Sequence, residues 1–163
     1  MSARIVPLAE EHVEGFHAVL DSVAREERYL AMFKAPPLDG VRKFVAESRA
    51  KGRPQFLAIA DERPVGWCDV IEKPREALAH SGVLGMGVLE GYRGCGIGAA
   101  LMQRTLDDAR AKGFTRIELT VRVDNPRAKR LYERFGFEVE GLGRRLMRVH
   151  GEYFDCHLMA WLG

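Results

Sequence analysis

The densest chemical signal in the chain is Tyr92-Arg93-Gly94-Cys95-Gly96-Ile97-Gly98-Ala99-Ala100-Leu101, a glycine-rich turn between an apolar run and a helical pattern. Glycines fold tightly with no Cβ in the way, so successive N–H groups can converge on one concavity at a helix N-terminus, where the macrodipole also favours negative charge. A phosphate-bearing ligand is the first expectation. A nucleoside-triphosphate loop needs a Lys for the phosphates and a hydroxyl for magnesium, and the residues after Gly98 are Ala99, Ala100 and Leu101, which excludes it. A dinucleotide fingerprint fits Gly94, Gly96 and Ala99, with Glu118 roughly where an acidic residue is sought. Against it, the unit sits mid-chain, and only about one βαβ module fits between Val83 and Val123. Glu118 also lies in the alternating run Arg116 to Val121, the pattern of a solvated strand face.

Asn125 and Tyr132 form a second constellation. A helix running on from Pro126 places them two turns apart near one azimuth, so both could face one ligand. A phenol there can donate a proton; the alternatives are a helix cap for Asn125 and a packed aromatic for Tyr132. Cys95 lies at a helix N-terminus, which can lower a thiol pKa, but no paired His supports a nucleophile. The five histidines show no metal-ligand spacing, and Cys68, Cys95 and Cys156 have no C-x-x-C spacing, so neither a metal centre nor a disulfide framework is expected. Reduced cytosol suits such a chain. Arg127, Lys129, Arg130 and Arg134 make a basic helix face.

These groups need a scaffold. Arg4 to Pro7 reads as a strand and Glu10 to Ala24 as an amphipathic helix through Val13, Phe16, Val19, Leu20 and Val23. Arg25 to Leu38 reads as a helix-to-loop transition interrupted by Pro36 and Pro37, with a second helix starting at Asp39 and ending near Lys51-Gly52. Gln55 to Ala60 and Val65 to Ile71 read as a hairpin, and Ser81 to Leu89 as a further strand. A helix from Ile97 to Lys112, a strand from Phe114 to Val123, a helix from Pro126 to Phe135 and two strands within Phe137 to Trp161 complete the order. The fold class expected is α/β (α+β), a mixed sheet with helices on both faces. The length of 163 residues fits one domain, 1–163. A net charge of +2 excludes a strongly basic nucleic-acid footprint, and no run reaches the length of a membrane span or signal peptide. A soluble, cytoplasmic protein without nucleic-acid or membrane partners is expected.

Arg93-x-x-Gly96-x-Gly98 matches the Q/R-x-x-G-x-G/A signature of the GCN5-related N-acetyltransferases (GNAT), and more follows in register. Val123-Asp124-Asn125-Pro126-Arg127-Ala128, Leu131 to Phe137 and the closing Gly151-Glu152-Tyr153-Phe154-Asp155 resemble that family from Val83 to the C-terminus. The resemblance implies a mostly antiparallel central sheet and acetyl-CoA as cosubstrate, without a metal. It further implies that Arg93, Gly94, Cys95, Gly96, Ile97, Gly98 and Ala99 receive the pyrophosphate through backbone amides, and that Met86, Gly87 and Val88 bond the pantetheine arm through their backbone. Gly85 and Gly87 suit a strand that a ligand approaches closely, or equally a β-bulge. By the same resemblance Asn125 contacts the CoA arm, Tyr132 protonates the departing thiolate, and the basic helix face either meets the phosphorylated adenosine or is simply solvated.

Amine acetylation needs a proton acceptor. Many relatives carry a glutamate on the strand before the turn, where this chain reads Ser81 to Val88 with no acid. His80 and Glu90 flank that strand, with His80 taken as the candidate base beside a water relay. Trp67, Tyr29, Phe33 and Tyr153 are candidates for lining the acceptor pocket, with core packing as the alternative for each. The resemblance is nearest to branches acting on a small-molecule amine such as an amino acid; a protein N-terminal acetyltransferase and a non-catalytic acyl-CoA-binding module are the alternatives. An exposed last strand leaves a homodimer open.

Overall fold

A computed structural model describes residues 2–163. The strands are β1 (Arg4–Pro7), β2 (Gln55–Ala60), β3 (Arg63–Glu72), β4 (Ser81–Val88), β5 (Arg116–Arg122), β6 (Glu138–Val149) and β7 (Glu152–Leu162). The helices are α1 (Val13–Ala24), α2 (Leu38–Ala50), α3 (Ile97–Ala111) and α4 (Pro126–Arg134). All seven strands join one sheet in the order β1-β2-β3-β4-β5-β7-β6. Every pairing is antiparallel except β4 with β5. The expected element order is therefore the observed one.

Boundaries moved where local chemistry intervened. Glu10–His12 is a 3-10 turn and the α-helix begins at Val13. The helix stops at Ala24, because Glu27 adopts φ +52°, a conformation no helix can continue through. The second helix starts one residue before Asp39, with the extended Pro37 as its cap.

The sheet separates two apolar layers. On one side α1 and α2 bury Val13, Phe16, Val19, Val23, Val41 and Val45 against Leu57 and Trp67, with Phe16 and Trp67 edge to face at 5.8 Å. On the other, α3 buries Ile97, Leu101, Met102 and Leu106 against Phe56, Val70, Leu84, Ile117 and Met159. Burying such a side chain fully stabilises the fold by about 1.5–3 kcal/mol. The α4 helix buries no residue completely and leans on the second layer through Ala128, Leu131 and Tyr132.

Candidate active site

The site begins where two strands part. β4 and β5 pair only through Ser81–Val83 against Arg116–Glu118, yet β4 runs on to Val88 and β5 to Arg122. From Leu84 to Val88 the β4 strand is paired with β3 alone, so its other backbone edge faces the widening gap. A cleft of about 490 Å³ opens there, with Met86, Gly87 and Val88 in its wall. The register between β3 and β4 is continuous, so the strand glycines mark no bulge on that side. Their cause is across the strand: a Cβ on Gly87 would stand 2.4 Å from the Trp67 ring, and one on Gly85 2.9 Å from the Asp69 carboxylate.

The glycine turn closes one end of this cleft. Gly94 and Gly96 have φ of +82° and +89°, which L side chains rarely adopt, and Gly96 is the N-cap of α3. The first backbone bond of the helix runs from the Ala100 amide to the Gly96 carbonyl, leaving Ile97, Gly98 and Ala99 with the outward-facing amides of a first turn. Gly94, Gly96, Gly98 and Ala99 line the cleft. A Cβ on Gly94 would lie 3.0 Å from the Arg127 guanidinium, a mobile side-chain end, so it is the φ of +82° that calls for glycine there. Arg127, Arg130 and Arg134 line the same cleft, while Lys129 is paired with Glu133. These three arginines are exposed side chains that border the cleft, so the basic face is solvated and adjoins the cradle at once. These features fit a pyrophosphate.

Three residues of the turn sit differently from the rest. Ile97 has its side chain in the core, so it offers the cleft only its amide. Cys95 is exposed and outside the cleft wall, with Sγ–H donating to the Tyr92 carbonyl at 2.9 Å. Arg93 lines the cleft but is held by protein partners. Its Nε donates to the Val88 carbonyl at 2.7 Å, Nη1 and Nη2 bond Glu26 at 2.9 and 2.5 Å, and the guanidinium stacks 4.6 Å over Tyr29. Even its amide is engaged, by the Glu90 carbonyl. Arg93 therefore ties the turn to the end of β4 and to the segment after α1.

Asn125 caps α4, its Oδ1 accepting from the Ala128 amide at 3.2 Å, and it lines the cleft two turns before Tyr132. Tyr132 packs against Phe137 with ring centroids 6.0 Å apart, and burial raises the pKa of a phenol that is protonated at neutral pH in any case. It lines a second cavity as well, of about 590 Å³, which shares Tyr29, Met86, Thr120, Arg122 and Tyr132 with the first. Tyr132 accordingly stands at the junction of two chambers.

The second chamber has apolar walls from Leu30, Val83, Leu84, Leu119, Met147 and Leu158. Its charges are paired. Glu118 binds Lys73 at 2.5 Å and Arg116 at 2.7 Å, and both contacts hold its carboxyl below the usual range; Arg116 also grips Glu140 through Nη1 and Nη2. Glu118 is thus an ion-pair partner in a cavity wall, not a freely solvated residue. Arg122 is buried, stacked 3.5 Å over Phe154, with Nε and Nη2 on the Asp124 carboxylate at 2.9 and 2.6 Å. The alternation Arg116, Glu118, Thr120, Arg122 was the available sequence signal for this wall.

His80 is exposed in the turn before β4, outside both cavities, and its carbonyl receives the Thr115 and Arg116 amides. The geometry does not bring it to the other site residues. Glu90 is exposed in the 3-10 turn Glu90–Tyr92, likewise outside both. Of the four aromatic candidates, Trp67 is core and Tyr29 lines both chambers, whereas Phe33 and Tyr153 are exposed, Phe33 stacked on His150 and Tyr153 between Arg145 and Arg148. Among the described residues, no helix is long and apolar enough to cross a membrane.

Comparison with known proteins agrees with this architecture. The sequence is 30% identical over 165 residues to the L-amino acid N-acetyltransferase AaaT of Escherichia coli K12, covering 98% of each chain. The fold superimposes on a GNAT-family acetyltransferase from Streptococcus pneumoniae with a TM-score of 0.93 at 23% identity, over 99% of this chain and 100% of that one. It superimposes equally, at 0.93 and 19% identity over 100% of this chain and 90% of the other, on a GNAT-superfamily phosphinothricin acetyltransferase from Sinorhizobium meliloti in complex with AcCoA. The model of the Acetyltransferase (GNAT) family matches residues 16–137. With a family match over most of its length and a full-length relative, this chain belongs to the GNAT family of acetyltransferases.

Proposed function

We propose that the protein transfers the acetyl group of acetyl-CoA directly to the primary amine of a small molecule, an amino acid in the first place. The observation that carries this reading is the pair of chambers meeting at Tyr132, one ending in the glycine cradle and the other walled by apolar side chains. Gly94, Gly96, Gly98, Ala99 and the first amides of α3 would hold the pyrophosphate, and the unpaired edge of β4 at Met86 to Val88 would bond the pantetheine arm as an added strand does. Acetyl-CoA supplies the activated thioester. The chain's own contribution is to align the amine with it, exclude water and move protons. Tyr132, a phenol protonated at neutral pH, donates to the sulfur as the thiolate departs.

Two features support a small acceptor. The segment after α1 roofs the second chamber through Tyr29, Leu30 and Ala31, and is fastened on both sides, to the turn by Glu26–Arg93 and to the end of β6 by Glu27–His150. The charges in that wall are balanced, with Arg116 and Arg122 against Glu118 and Glu140, which does not suit a polycation. The full-length E. coli relative is named for L-amino acids, in agreement.

An amine panel read as free-thiol release tests this. Turnover with L-amino acids and little with polyamines is expected. Turnover confined to peptides would replace the acceptor with a protein N-terminus. Acetyl-CoA binding without turnover on any amine would make the protein an acyl-CoA-binding module.

A further inference from the structure

We propose that Asp69, on β3, is the proton acceptor for the incoming amine, reaching the second chamber across Gly85 through one water molecule. This rests on the acetyltransferase reading above. Directly opposed residues of an antiparallel pair project to the same side, and Asp69 pairs with Gly85 as Ile71 pairs with Val83. Val83 and Gly85 line the second chamber, next to Met86 where both chambers meet. Because residue 85 has no side chain, the Asp69 carboxylate comes to 2.9 Å from the point a Cβ would occupy. The carboxyl that the β4 sequence lacks is therefore presented over β4 from the neighbouring strand.

Asp69 itself lies behind Gly85, outside the walls of both cavities, and its surroundings set it apart from the two acids of the chamber wall. Glu118 and Glu140 are each gripped by cations that lower their basicity. Asp69 is 5% exposed, and burial pushes its pKa up to about 7, in the range a proton acceptor needs at neutral pH. Gln55 from β2 donates Nε2–H at 3.3 Å, the Gly85 backbone faces it from β4, Cys68 adjoins it on its own strand, and the nearest charge is Arg53. That guanidinium is engaged by Glu72, Glu47 and Ser48, so it does not neutralise Asp69 by direct contact. Gln55 Oε1 is buried and makes no hydrogen bond within the protein, which gives a bridging water a second partner beside the carboxylate.

The protons balance. The ammonium group of the acceptor gives one proton through the water to Asp69, which later returns it to solvent. The freed lone pair forms the N–C bond as the C–S bond breaks, the thiolate takes the Tyr132 proton, and the second proton leaving nitrogen restores the phenol. One proton is released per amide formed.

The test is the pH profile of kcat for the wild type and for Asp69→Asn, on the amine with the highest turnover, with acetyl-CoA affinity measured by calorimetry. Asp69→Asn should lower kcat about 100-fold at neutral pH. It should also abolish the acidic limb of the wild-type profile, recover towards the amine's own pKa, and leave acetyl-CoA affinity unchanged. Gly85→Ala is the second variant, its Cβ displacing the water and crowding the carboxylate; it should lower kcat in the same way, and it keeps the test decisive if Asp69→Asn does not fold. Wild-type kcat and an intact acidic limb in either folded variant would overturn the assignment of Asp69 alone. Absence of wild-type turnover on every amine would overturn the acetyltransferase reading and this assignment with it.

Discussion

Replacing Asp69 by Asn should change how stability depends on pH, whatever its part in turnover. The carboxyl is pushed from its ordinary 3.8 up to about 7 by burial. Between those values the folded protein binds a proton that the unfolded chain has released, so stability falls as pH rises. The contribution is fully present below about 3.8, declines through that window and is gone above about 7. A difference of roughly 3 units at about 1.4 kcal/mol each is about 4 kcal/mol. For a chain of this size 1 kcal/mol moves Tm by about 2–4 °C, so the full effect is on the order of 10 °C. Asn cannot ionise, and its Oδ1 can still accept the Gln55 amide. Thermal unfolding of both proteins from pH 4 to 9 by scanning calorimetry measures this, because subtracting one curve from the other cancels every other titrating group. The difference, variant minus wild type, should climb from pH 4 to about 7 and then level off. A difference flat across the range would refute a buried, desolvated Asp69.

Other outcomes follow from the site. Tyr132→Phe should cut kcat about 100-fold with acetyl-CoA affinity nearly unchanged, measured by steady-state kinetics and calorimetry; equal turnover would remove the proton-donor role. Gly96 sits at φ +89° with open space where its Cβ would go, so Gly96→Ala costs about 1–2 kcal/mol of backbone strain alone. Gly96→Asp adds a charge to the cradle, and calorimetry should find its CoA affinity at least tenfold below that of Gly96→Ala; equal affinities would place the pyrophosphate elsewhere. Arg93→Ala removes the Val88, Glu26 and Tyr29 contacts together, for a loss of about 2–3 kcal/mol seen as a lower Tm. Adding Glu26→Gln to it should cost little more, and a fully additive double variant would show that the two residues do not act as a pair.

The fold was legible because it was written in local signals. Apolar residues at helical spacing marked α1 and α3, prolines bracketed the loop before α2, and Gly94, Gly96 and Gly98 marked the turn, each feature being a property of a few adjacent residues. The Asn125 to Tyr132 spacing likewise survives into three dimensions, because one short helix sets it. What could not be read is non-local. Whether β4 and β5 stay paired or part is a property of the whole sheet, in which β5 pairs with β7 from Arg116 to Arg122 but with β4 only through Glu118, and that parting opens the cleft. That the Arg93 guanidinium is held by Glu26, 67 residues away, and its amide by the Glu90 carbonyl is likewise set by folding. Gly85 and Gly87 read as ligand-approach or bulge glycines, and only folding adds that β3 brings Asp69 and Trp67 against them. The sequence by itself determined the elements, their order and the glycine turn that opens α3, since short-range sterics and periodicity suffice for those. Only the tertiary structure decided which charges neutralise one another and which carboxylate is buried, because electrostatics and desolvation depend on neighbours the chain brings together by folding.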